Sequence, residues 1–391
     1  MGRITSKIGI FSALQPSFLG LVLISVLACL AEPSRAGAPL GWINSQNPSA
    51  YTTAPGELSF SLAGLTVNDT LDFLNIREDL LAGDQRLIGD SGDLSGSRLE
   101  LHYGITDSLS VFYEQQQHDV RLEFGEIASA NILEIDRDLE TTARSAGLRW
   151  TFFTADLLNP NDRPTALSLE LSAFNNDSDD FKLVADELRI NNLELFFSDP
   201  RTFRINRLQD SGWELKLLAS GELFNNGVIS GWLGYRQSDS TAGTDSDIGS
   251  ITVASFFEQD FRLEEDYVLF GASLNFQINP RLPILLSYEF IRTNDSVFSR
   301  IPVDPLEQLP GFLRGGSPVA DSNHTLFGRI SYWVTPALSV SVIGNLYSNQ
   351  FLGVLPHYSN PLSGSFADEP YGYAGIELSY ALRGLPAIFR R

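Results

Sequence analysis

From about residue 97 to the C-terminal end, apolar and polar side chains alternate in short runs. The cleanest is Arg98-Leu99-Glu100-Leu101-His102-Tyr103, where Leu99, Leu101 and Tyr103 face one way and Arg98, Glu100 and His102 the other. A period of two is that of a strand with one apolar face. The same period marks Glu57–Val67, Leu109–Phe124, Thr141–Phe153, Ala166–Phe174, Trp213–Leu223, Val228–Gln237, Tyr267–Ile278, Ile284–Thr293, His324–Val334, Leu338–Tyr347 and Tyr373–Leu382. The pattern predicts an all-β chain of about twelve strands.

Two kinds of connection take turns between these strands. Gly104-Ile105-Thr106-Asp107, Phe224-Asn225-Asn226-Gly227, Asn279-Pro280-Arg281 and Thr335-Pro336-Ala337 are tight; 68–96, 125–139, 175–211, 238–265, 294–322 and 349–370 are long, polar and acidic. An antiparallel transmembrane β-barrel in an outer membrane has this asymmetry, with short periplasmic turns and long extracellular loops. Aromatics gather where strands would cross the two interfaces: Tyr103, Trp150, Phe152, Trp333 and Tyr380 on the inner side, Phe174, Trp213, Tyr235, Tyr267, Phe290 and Tyr347 on the outer. Such girdles suit amphipathic rings at a membrane surface.

Hydrophobic residues make up 43% of the 391, enough for an ordered chain, and Asp+Glu 48 against Lys+Arg 27 give a net charge of −21. That balance disfavours nucleic acid, whose binding depends on neutralising phosphates. Arg3 and Lys7, the apolar run Phe18–Ala31 and the small residues around Ser34-Arg35-Ala36 read as a cleaved signal peptide over 1–36. The run is short against the roughly 20 residues of a membrane-spanning helix. A periplasmic N-terminal segment (37–56), the barrel (57–382) and a short C-terminal tail (383–391) follow. The single cysteine, Cys29, lies in the signal, so the mature chain has no thiol chemistry.

The last strand, Tyr373-Ala374-Gly375-Ile376-Glu377-Leu378-Ser379-Tyr380, resembles the C-terminal signal that the outer-membrane insertion machinery reads, through Gly375, Leu378 and Tyr380. Tyr373 departs from the polar first position, and Ala381–Arg391 extends past the usual terminal aromatic. The stretch from Tyr103 to Ser110 similarly resembles a periplasmic hairpin of Gram-negative outer-membrane barrels. The resemblance implies location in the outer membrane, with lipid and lipopolysaccharide around the wall.

With the apolar face toward lipid, the opposite face lines a lumen. A Lys or Arg facing lipid at mid-membrane costs roughly 2–4 kcal/mol, so the charges fix the facing. The lumen then holds Arg98, Arg149, Lys216, Arg236 and Arg329 beside Glu100, Glu114, Glu170, Glu214, Glu289 and Glu377. The near-balance of these charges fits either a cross-braced plug or a wet channel with a transverse field. We take the chain as a porin-like channel passing small hydrophilic solutes by passive diffusion, with Arg98, Glu100, Arg149, Lys216, Glu289 and Arg329 setting selectivity. In the long segment 175–211, Arg201, Arg204 and Arg207 mark a candidate constriction loop; the plainer reading is a basic outer patch. A structural or adhesive barrel with a plugged lumen, acting through its outer loops, is the alternative.

A lipid hydrolase is the third reading. Ser322-Asn323-His324 is the one tempting pairing of nucleophile and base, yet it lacks the Gly-x-x-His-x-Ser-Asn-Gly order of outer-membrane phospholipases. No enzyme, metal or cofactor is expected. The acidic runs Asn176–Asp180 and Asp239–Asp247 lack EF-hand spacing and read as solvated loops.

Overall fold

The computed structural model describes residues 48–67, 94–121, 130–135, 138–155, 165–190, 193–222, 227–247, 259–301, 322–347 and 371–383. The expected signal segment, the turn at 224–226 and most of the loops at 68–96 and 349–370 lie outside the described residues.

Among the described residues fourteen strands are formed: β1 (Leu58–Val67), β2 (Leu94–Thr106), β3 (Leu109–Arg121), β4 (Ala130–Ile135), β5 (Asp138–Ala155), β6 (Thr165–Ser178), β7 (Phe181–Ile190), β8 (Leu193–Glu222), β9 (Gly227–Ser246), β10 (Gln259–Asn279), β11 (Leu282–Ile301), β12 (Ser322–Trp333), β13 (Leu338–Tyr347) and β14 (Tyr371–Leu382). Twelve of them close a wall, each antiparallel to its neighbours, in the order β1-β2-β3-β5-β6-β8-β9-β10-β11-β12-β13-β14. The ring shuts where β1 pairs with β14, from Leu58 opposite Leu382 to Thr66 opposite Ala374. Closure leaves no free sheet edge within the membrane, where unpaired backbone groups cost several kcal/mol each. All twelve predicted strands are in this wall.

β4 and β7 stand outside it. β7 pairs with the first part of β8, from Phe181 opposite Ile205 to Ile190 opposite Leu193, and β4 pairs with β7. β8 is 30 residues long, and β9, β10 and β11 are 20, 21 and 20. A tilted strand needs only about 9–11 residues to cross the membrane. The wall therefore rises into water as a sheet over much of 175–211, 238–265 and 294–301, which the alternation alone reads as loops. The residues this extension buries include Asp210, Ser238, Ser240 and Glu265, so its burial is not marked by apolar side chains.

On the wall itself the alternation is obeyed. Leu148, Trp150, Leu171, Leu215, Leu217, Leu233, Val268, Phe270, Leu286, Ile330, Val342 and Ile376 are exposed around the outside. An apolar belt of that extent far exceeds the few hundred Å² that a soluble monomer leaves bare, so lipid covers it. Three aromatics assigned to the girdles turn inward instead: Phe174, which lines the lumen beneath Arg236, and Tyr267 and Trp333. Tyr267 shares its face with buried Leu269 and gives its hydroxyl hydrogen to Glu265; Trp333 is buried against Ala381. Each lies next to an outward residue, Val268 or Tyr332, and the period of two sends it inside.

Candidate functional site

The interior is polar, and three layers of it matter. At mid-height on one side, β2, β12 and β14 bring four charges together. Arg98 reaches Glu377 at 2.8 Å and Glu100 at 3.2 Å, while Arg329 reaches the other oxygen of Glu377 at 3.2 Å. All four side chains are buried, and Ser379 adds a hydrogen bond to Glu377. Breaking one member of a buried group of this kind costs about 3–5 kcal/mol, because a charge is left uncompensated. This cluster braces the wall and fills its side of the lumen.

The opposite side is more open. A cavity of about 240 Å³ lies against β3, β5, β6, β8, β9 and β11, bordered by Glu114, Glu170, Glu214, Lys216, Arg236 and Glu289. That is room for roughly eight waters at about 30 Å³ each. Glu214 sits between Lys216 at 2.5 Å and Arg236 at 2.6 Å, and Glu170 is held by the Arg149 guanidinium. Lys216 also reaches Glu289 at 3.7 Å, across a lumen bounded there by β9 and β10. The Trp232 ring lies over Gly271 and donates its indole hydrogen to Glu289 at 2.9 Å. A Cβ on Gly271 would overlap that ring.

Below the cavity, at the periplasmic mouth, residues 48–56 lie inside the barrel. The Ala50 carbonyl accepts hydrogen bonds from Thr151 Oγ1 at 2.8 Å and from Ser168 Oγ; its amide donates to Ser220 Oγ at 2.7 Å. Ala50 is fully buried and packs with Leu218 and Trp232, joined by Tyr51. Thr52 then donates to the Asp107 carbonyl in the β2–β3 turn. The strap passes so close to Gly104 that a Cβ there would overlap the carbonyls of Thr53 and Ala54. It joins β1 through a turn over Ala54–Glu57, closed by Glu57 N to Ala54 O at 2.9 Å. Pro55 and Gly56, with φ of 71°, are the residue types a type II turn requires at its centre. Ser220 lies two layers below Lys216 on the inward face of β8, so the strap crosses the lumen below the cavity without lining it.

All six residues expected to set selectivity line the interior. They divide into Arg98, Glu100 and Arg329 in the brace, and Arg149, Lys216 and Glu289 at or beside the cavity. Arg201 and Arg204 stand on the outer extension of β8. Arg201 donates to the Asp247 carbonyl, and exposed Arg204 lies 3.6 Å from Asp245. The Arg207 side chain lies outside the described part. The described segment across the periplasmic mouth is the strap, which belongs to the expected periplasmic N-terminal segment.

His324 faces outward. Its Nδ1 is 2.7 Å from the Tyr288 hydroxyl, and its ring packs 4.8 Å from that of Phe290. Asp210, at the outer end of the lumen, was also passed over. It is buried and takes hydrogen bonds from Ser238, Ser240 and Asn176.

No family model matches the chain, and no curated protein matches it in sequence. Solved structures similar to it include the NanC porin, 6% identical over 83% of this chain and 100% of that one, with a TM-score of 0.40. The translocator domain of the autotransporter NalP from Neisseria meningitidis is 8% identical over 94% and 96%, with a TM-score of 0.43. The outer membrane protease OmpT from Escherichia coli is 8% identical over 85% and 100%, with a TM-score of 0.35. The closed wall of twelve antiparallel strands, lipid-facing outside and polar within, is that of a Gram-negative outer-membrane β-barrel.

Proposed function

We propose that this barrel is a channel for small hydrophilic solutes, which cross by passive diffusion, and that residues 48–56 close its periplasmic mouth. The carrying observation is the charged cavity beside the brace, with a strap that is not part of the wall bound to the inner face below it. A barrel plugged for structure alone has no need of a charged hollow. Here the carboxylates and cations that border the space form a strong local field, which replaces part of a solute's hydration.

The strap is held mainly by neutral hydrogen bonds, each worth about 0.5–1.5 kcal/mol net, and by a small apolar contact. Release of such a segment costs far less than opening the wall. The brace of Arg98, Glu100, Arg329 and Glu377 favours the second reading, a structural barrel acting through its outer sheet extension. Single-channel recording of the refolded protein in a planar bilayer separates the two. A channel gives discrete steps that become more frequent when the strap is weakened; a structural plug gives none.

A further inference from the structure

We infer that the pathway selects cations, a conclusion that rests on the channel reading above. The lumen charges on the open side are not balanced once their partners are followed. Besides Arg144, three cations stand at or beside it: Arg149 is committed to Glu170, while Lys216 and Arg236 are committed to Glu214. Glu289 has the 3.7 Å approach of Lys216, the longer-range pull of Arg236 and the neutral indole of Trp232, and both cations are already paired with Glu214.

Glu114 borders the same cavity, and the cation that acts on it, Arg98, is already paired with Glu100 and Glu377. Its cross-strand partner on β2 is another carboxylate, Glu100, which is fully buried and whose oxygens accept no hydrogen bond. Above the cavity, Asp210 accepts hydrogen bonds from Ser238, Ser240 and Asn176, and the cation that acts on it, Arg236, is already paired with Glu214.

The brace on the far side contributes no excess, with Arg98 and Arg329 against Glu100 and Glu377. Arg144 borders the cavity too, but its guanidinium is 2.5 Å from Asp177. A solute descending from outside therefore meets Asp210, then Glu114 and Glu289, with the neighbouring cations already engaged. In a narrow passage with low-dielectric walls, an uncompensated carboxylate concentrates small cations, inorganic or ammonium-bearing, and repels anions.

The test is the reversal potential of the full-length refolded protein under a KCl gradient, with Glu114→Gln and Asp210→Asn as variants. Folding of each is checked by heat-modifiable migration in detergent. The expected result is a potential on the potassium side that moves toward zero in both variants. Steps with a chloride-side or zero potential, or variants that leave a potassium-side potential unmoved, would overturn the cation assignment while the channel stood. Folded protein without steps, even when the strap is weakened, would remove the channel and this inference together.

Discussion

The backbone amide of Ala50 donates to the hydroxyl of Ser220 at 2.7 Å, joining the strap to the inner face of β8 across 170 positions of sequence. Ser220 is in turn 2.8 Å from Ser230 on β9, so two neighbouring strands hold the strap through one pair of hydroxyls. Replacing Ser220 with Ala removes the acceptor at a cost of about 1 kcal/mol, roughly fivefold in strap occupancy. Ser220→Ala is predicted to raise the frequency of opening by about that factor, as counted in bilayer recordings.

Gly104 offers an independent lever at the other end of the strap. A side chain there would collide with the carbonyls of Thr53 and Ala54 while leaving the Ala50 hydrogen bonds chemically intact. Gly104→Val is predicted to expel the strap and make residues 48–56 accessible. Limited proteolysis in detergent would read this as new cleavage near Thr52, with the barrel core unchanged.

The brace governs stability. Glu377→Gln leaves Arg98 and Arg329 buried beside a neutral amide. A loss of about 3–5 kcal/mol is expected in urea unfolding of the barrel in lipid. Arg204→Gln, on the exposed outer extension, is expected to change stability by less than about 1 kcal/mol.

Leu217 and Lys216 are neighbours on β8 with opposite environments: Leu217 is 47% exposed to lipid and Lys216 is buried in the lumen. Leu217→Arg is predicted to cost roughly 2–4 kcal/mol in the same unfolding assay. An unperturbed barrel would mean that the facing of β8 is wrong.

Gly271 and Gly64 form a matched pair. A methyl group on Gly271 would meet the Trp232 ring, whereas one on Gly64 would meet nothing within 4 Å. Gly271→Ala is expected to destabilise by about 1–3 kcal/mol through overpacking and to loosen the Trp232–Glu289 hydrogen bond; Gly64→Ala is expected to be neutral. Unfolding midpoints of the two variants side by side decide the point.

The strand count and the facing of Arg98, Arg149, Lys216 and Arg329 were legible in the sequence because lipid imposes a strict period of two on every wall strand. Phe174, Tyr267 and Trp333 were misplaced because residue type was weighed above that period. Above the membrane the signal weakened: β7 and the first part of β8 pair as ordered sheet, but their polar residues interrupt the period of two and read as loop.

The strap was illegible for a different reason. Its partners Thr151, Ser168 and Ser220 are small hydroxyl residues that would suit any polar lumen, and Ser49-Ala50-Tyr51 has no period to read. The Pro55-Gly56 pair announced a turn but not what the turn held in place. Arg98 and Glu377 are 279 positions apart, and only closure of β1 on β14 brings them together.

The most direct test is single-channel conductance of the refolded full-length protein compared with Gly104→Val in the same planar bilayer. The account predicts rare, discrete openings in the unaltered protein and frequent or sustained ones in the variant. Equal silence from both, with each folded by heat-modifiable migration, would contradict it.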